Sequence, residues 1–130
     1  MRLLLDTHVL VWALGDPARL DQEMLHLLSD AANEVLFSAA SIWEIAIKAR
    51  LGRADFPLRP EQVAQEARLT GFIELPVKAD VAARVADLPL HHRDPFDRLL
   101  VAQAMAEPAR LYTADPLLPP YSELVQLIGR

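Results

Sequence analysis

Short apolar runs alternate with longer segments of helical period throughout this sequence, and few folds tolerate that alternation. Arg2–Leu5 reads as a buried strand that stops at Asp6. His8–Leu14 is a short apolar helix ended by Gly15-Asp16-Pro17. Leu20, Met24, Leu27, Leu28 and Ala31 recur at helical spacing and predict a helix over Asp21–Ala32. Glu34–Phe37 is a second strand, and a helix follows from Ser38 to Leu51 with Gly52 past its end. Pro60 suits a first helical turn and Gly71 the stop of that helix. Phe72–Leu75 predicts a third strand, and Val81, Val85 and Leu88 mark a face of the next helix. Pro89 to Pro95 is a loop, and Asp94-Pro95 opens a helix running to about Ala106. Arg110–Thr113 and Glu123–Ile128 predict the last strands. Strands alternating with helices predict an α/β domain with a mostly parallel sheet, which binds ligands beyond the C-terminal ends of its strands.

Composition narrows the chemistry. The 130 residues have the length of a single domain, 1–130. There is no cysteine, so disulfides, zinc–thiolate sites and thiol nucleophiles are excluded. The four glycines are too scattered for a phosphate-cradling loop. Hydrophobic residues make up 52% and charged residues 24%, which excludes a disordered chain. No apolar run approaches the ~20 residues of a membrane span, and Asp6 interrupts any signal-peptide core. The expectation is a cytoplasmic protein without a membrane partner. A net charge of −5 argues against a passive nucleic-acid binder with a basic face.

The polar residues at the strand ends therefore matter most. Asp6 follows Leu3-Leu4-Leu5, where an aspartate can simply cap the next helix. Glu44 sits among Ile42, Trp43, Ile45 and Ile47, where it can form a capping box with Ser41 or an ion pair with Lys48. Asp94 is a natural N-cap, and Asp97 falls in a first turn where the helix dipole favours an acid. Asp115 follows a strand and precedes Pro116, another capping position. Each has an ordinary explanation alone. Together, a parallel sheet can bring Asp6, Glu44, Asp97 and Asp115 to one edge, where they would repel. A divalent cation resolves that repulsion, and oxygen donors suit Mg2+ or Mn2+ rather than zinc.

Four segments carry a family resemblance: Leu3–His8, Ser38–Ile45, His92–Ala104 and Leu111–Asp115. In order and spacing the chain resembles the PIN-domain ribonucleases, and within them the VapC-type toxins of toxin–antitoxin pairs. Gly52 to Pro89 carries no motif. The resemblance implies a three-layer α/β/α domain with a mostly parallel sheet of about five strands. It implies that Asp6, Glu44, Asp97 and Asp115 form a catalytic, metal-binding set, with Asp94 structural or supporting. Asp6 and Asp97 are the first choice as ligands, and Glu44 is a ligand or a general base. The implied activity is Mg2+- or Mn2+-dependent hydrolysis of RNA by metal-activated water, leaving 5′-phosphate and 3′-hydroxyl ends. A homodimer and a cognate antitoxin are the implied partners.

Arg93, Arg98 and Thr113 are the expected substrate contacts, with Lys48, Arg50 and Arg53 as further phosphate-facing charge. Adjacent side chains in a loop point different ways, so His91-His92 reads as structural. Trp12 and Trp43 lie in apolar helical runs and read as core or dimer-contact residues. An aspartate-nucleophile phosphatase would want a second Asp at position 8, which is His. A phosphoacceptor receiver domain would want an acidic pair near the first strand end. The remaining alternative is a non-catalytic PIN-fold module that binds RNA or protein, and retention of four mutually repelling acids argues against it.

Overall fold

Leu3, Leu4 and Leu5 are fully buried in the computed structural model, which describes residues 1–52 and 58–129. A strand that is apolar on both faces must lie inside a sheet covered on both sides. Strand β1 (Arg2–Leu5) does so, pairing in parallel with β2 (Glu34–Ser38) and with β4 (Arg110–Thr113). β3 (Ile73–Leu75) and β5 (Val125–Leu127) close the edges in the order β3-β2-β1-β4-β5, every pair parallel.

The two-residue period sorts side chains between two cores. Leu3, Leu5, Val35, Phe37 and Tyr112 face one side. There they meet Val9 and Leu10 of α1 (Thr7–Gly15), Met24 of α2 (Gln22–Ser29), Ile45 of α3 (Ala39–Arg50), and Val63 and Ala67 of α4 (Pro60–Thr70). Leu4, Leu36, Leu111 and Val125 face the other, against Leu100, Val101 and Ala104 of α6 (Pro95–Ala106). The short helix α5 (Ala79–Arg84) leads into the 3-10 turn Val85–Asp87, and Leu88 packs against this second core. The result is the three-layer α/β/α arrangement with five parallel strands.

Local punctuation matches the sequence at several points. Pro60 opens α4, and Gly71 closes it in the left-handed region at φ 98°. Three elements are shorter than their periodicity predicts. The helix after Asp21 stops at Ser29, because the Asp30 side chain accepts the Ala32 N–H (2.9 Å) and turns the chain. The helix marked by Val81, Val85 and Leu88 tightens after Arg84, where Arg98 takes the carbonyls of Val85 (3.2 Å) and Leu88 (2.9 Å). The last strand begins at Val125, because Ser122 holds a turn through the N–H of Leu124 (3.1 Å).

Two features of this topology place the site. The chain moves outward from β1 through β2 to β3, then returns to the other side of β1 as β4. The C-terminal ends of β1 and β4 therefore flank the reversal point, where parallel sheets leave a crevice. α6 precedes β4 and is fixed above the sheet by buried polar bonds. Ser38 Oγ donates to Gln103 Oε1 (2.6 Å), and Gln103 Nε2 donates to the Pro76 carbonyl (3.3 Å). Among the described residues, no helix is long and apolar enough to cross a membrane.

Leu4→Ala removes a fully buried side chain from the second core and is expected to cost about 3 kcal/mol. Leu69→Ala, at 73% exposure, should change stability by less than about 0.5 kcal/mol. Urea unfolding of both variants checks the pair; equal midpoints would contradict this packing.

Candidate metal centre

Asp6 stands one residue beyond β1 and extends the ladder, its N–H donating to the Tyr112 carbonyl (3.0 Å). Its side chain then serves two elements. Oδ1 accepts the Val9 N–H (2.8 Å) and caps α1. Oδ2 accepts a short bond (2.5 Å) from the Thr113 hydroxyl at the end of β4. Thr113 Oγ1 also accepts the Asp115 N–H (3.0 Å), so one buried hydroxyl joins Asp6 to the turn that carries Asp115. Burial raises the Asp6 pKa, and the bonds from Thr113 and Val9 and the nearby His8 only partly offset it.

Glu44 arrives from α3 and is 2% exposed. Ser38 caps this helix through the Ala40 N–H (3.0 Å), so Ser41 and Glu44 form no capping box. Thr7 Oγ1 donates to Glu44 Oε1 (2.7 Å) and lies 3.0 Å from Ser41 Oγ. A hydroxyl has one proton, so Thr7 gives its own to the carboxylate and takes that of Ser41. Lys48 Nζ donates to Glu44 Oε2 (2.6 Å), the i,i+4 pair expected from the sequence.

Asp94 caps α6, its Oδ1 accepting the N–H groups of Phe96 (2.9 Å) and Asp97 (3.4 Å). Asp97 then projects from the first turn of α6. Its pKa is pushed up to about 8, first by burial and then by the charges of Asp94, Asp6, Glu44 and Asp115. Those four neighbours show that the chain brings the expected acids together. Capping and site formation are not rivals here: Asp6, Asp94 and Asp115 cap or turn the backbone and border the cleft at once.

The cleft holds about 290 Å³ and is lined by these five acids together with His8, Lys48, His92 and Ala114. Such an oxygen-rich set, with an acid driven toward its neutral form by burial and by its neighbours, fits a hard divalent cation. Single donor atoms of His92, Asp97 and Asp115 lie within 4.8 Å of one another.

Several sequence expectations change. Thr113 is fully buried, so it ties Asp6 to β4 and presents no surface to a substrate. Arg98 turns away from the cleft, because the Val85 and Leu88 carbonyls take its guanidinium. Arg93 stays exposed and borders a neighbouring hollow with Leu90, His91, His92 and Leu117. Arg50 is exposed on α3, and Arg53 lies outside the described residues. Of the two places expected for Trp43, core or dimer contact, its 61% exposure excludes the core; its ring is edge-on to Phe96 at 5.1 Å. Trp12 is half-buried, with the Arg19 guanidinium 5.6 Å from its ring. His92, read as structural, enters the cleft: Nε2 lies 2.7 Å from Asp115 Oδ2 and 3.2 Å from Asp97 Oδ2. Only part of that placement is local, the Asp94 N–H donating to His92 Nδ1 (3.2 Å); the rest depends on Tyr121, which holds the His92 N–H (2.9 Å).

This combination of a parallel five-stranded sheet and an acidic cleft at its reversal point has a family counterpart. The PIN domain family model matches residues 3–120, and the chain belongs to that family. Within it the chain groups with the VapC type. It is 31% identical over 118 residues to Ribonuclease VapC22 of Mycobacterium tuberculosis, spanning 87% of this chain and 86% of that protein. The crystal structure of VapBC2 from Rickettsia felis, bound to a DNA fragment from their promoter, has the same fold with a TM-score of 0.71. That match covers 99% of this chain and 100% of the other at 17% identity.

The raised Asp97 pKa has a definite sign for stability. The folded state binds a proton that the unfolded state releases between about pH 4 and pH 8. Metal-free protein should therefore lose stability as pH rises through that interval, by up to about 1.4 kcal/mol per pH unit. Asp97→Asn should flatten the profile and raise the pH 8 melting temperature, and millimolar Mn2+ should do the same for the unaltered chain. Thermal melts from pH 5 to pH 8 with EDTA check this; a flat profile for the unaltered chain would contradict it.

Proposed function

We propose that this chain is a cytoplasmic, divalent-metal-dependent endoribonuclease, using Mg2+ or Mn2+, and the toxin of a toxin–antitoxin pair. The observation that carries this reading is the gathering of five acids, Asp97 half-buried among the other four, around one cleft at the C-terminal edge of the sheet. A binding surface gains nothing from that electrostatic cost, whereas a bound cation relieves it. The curated relative is named a ribonuclease, and the structurally similar chain comes from a VapBC complex, which supports the activity and an antitoxin partner. A homodimer is part of the same proposal.

Asp6 and Asp97 are the primary ligands in this reading, with Asp115 beside them and Glu44 as a ligand or base. A divalent cation held there supplies charge neutralisation at the phosphodiester and activation of the attacking water. The chain's own residues prepare for that chemistry. Thr113 and the Val9 N–H fix both oxygens of Asp6, so its remaining lone pairs have one set of directions. Thr7 and Lys48 do the same for Glu44. Lys48 lines the cleft and Arg93 the hollow beside it, and their positive charge suits backbone phosphates that are held without being read for sequence.

Purified protein incubated with labelled structured RNA should cleave in Mg2+ or Mn2+ and stop in EDTA. Asp6→Asn should lower the rate by about 100-fold or more, the scale of losing a preorganised charge contact, while the variant stays folded. Equal cleavage by the folded variant, or none by the unaltered chain, would sink the nuclease reading and favour a non-catalytic binding module. A small protein encoded alongside it should co-purify and inhibit.

A further inference from the structure

His92 lies outside the helices and strands, yet its ring is fixed from both ends. The Asp94 N–H donates to His92 Nδ1 (3.2 Å). A peptide N–H can only donate, so Nδ1 presents its lone pair and the ring proton sits on Nε2. That nitrogen faces Asp115 Oδ2 at 2.7 Å and Asp97 Oδ2 at 3.2 Å. With its proton there, Nε2 has no lone pair to offer a cation. The loop backbone is held by a residue far along the chain. Tyr121 Oη accepts the N–H groups of His91 (3.0 Å) and His92 (2.9 Å), and the His91 ring sits edge-on to the Tyr121 ring at 4.9 Å.

The geometry points to His92 as a positioning residue of the acidic cleft, held in place by Tyr121: its Nε2–H donates to Asp115, and it is not itself a cation ligand. The purpose of this device rests on the proposed metal-dependent reading. Asp115 Oδ1 already accepts the Leu117 N–H (2.9 Å), so the His92 bond orients its second oxygen. Groups that orient ligands in this way set metal affinity without touching the metal.

Two measurements without RNA test it. Mn2+ affinity is titrated calorimetrically for the unaltered chain, His92→Ala, His92→Gln and Tyr121→Phe. His92→Ala should weaken binding about tenfold or more. His92→Gln, whose amide N–H can replace the Nε2 donor, should recover most of it, and Tyr121→Phe should fall between. Nitrogen-15 NMR should show the Nε2–H tautomer of His92 both without metal and with saturating Mg2+. Loss of the Nε2 proton on adding Mg2+, or equal weakening by Ala and Gln, would make His92 a ligand and overturn the proposal. Unchanged Mn2+ affinity in both His92→Ala and Tyr121→Phe would overturn it as well. A chain that follows the expected pattern yet leaves RNA intact would support the role of His92 and count against the nuclease reading alone.

Discussion

The Thr113 hydroxyl is the junction on which the site depends. It is fully buried, donates to Asp6 and accepts from the Asp115 backbone. Strands β1 and β4 are far apart in sequence but adjacent in the sheet, and this hydroxyl connects their two carboxylate-bearing turns. The central strand is apolar on both faces, so the sheet alone would position Asp6 only to the precision of packing. Adding a fixed donor and acceptor converts that approximate placement into a defined orientation of the carboxylate. Substituting Thr113 by valine would keep the shape and lose both bonds.

The fold was largely legible because its signals are local. Leu3-Leu4-Leu5 before Asp6, Pro60 with Gly71, and Asp94-Pro95 each specify an element or its end without reference to distant residues. The acids were legible for the same reason, since each sits at a strand end or a first turn. What sequence could not show depends on pairings across the sheet. Nothing near Arg98 signals that the Val85 and Leu88 carbonyls will claim it. Thr113 looks available until β4 is paired against β1. His92 enters the cleft because Asp94 N–H and Tyr121 together turn its loop, and Tyr121 is 29 residues away.

The cleft also shows a tension between stability and chemistry. Hydrogen bonds satisfy Asp6 and Glu44 individually, yet burial and, after it, the charges of the other acids push Asp97 toward its neutral form. A sequence optimised for folding alone would replace one of them with an amide. The negative net charge, which at first counts against a nucleic-acid partner, is thus concentrated in part where a bound cation would invert the local sign.

The Ser38–Gln103–Pro76 bonds carry a last consequence. An α-helix turns about 100° per residue, so a slip of α6 by a single position would swing Asp97 out of the cleft. The apolar face of α6, formed by Leu100, Val101 and Ala104, opposes such a rotation by packing, which is not directional. Gln103 adds a directional constraint: displaced, its buried amide would lose both partners and the Ser38 hydroxyl its acceptor. Six residues from Asp97, this amide acts as an index pin, adding direction to the rotational phase that the hydrophobic contacts of the helix set by shape alone.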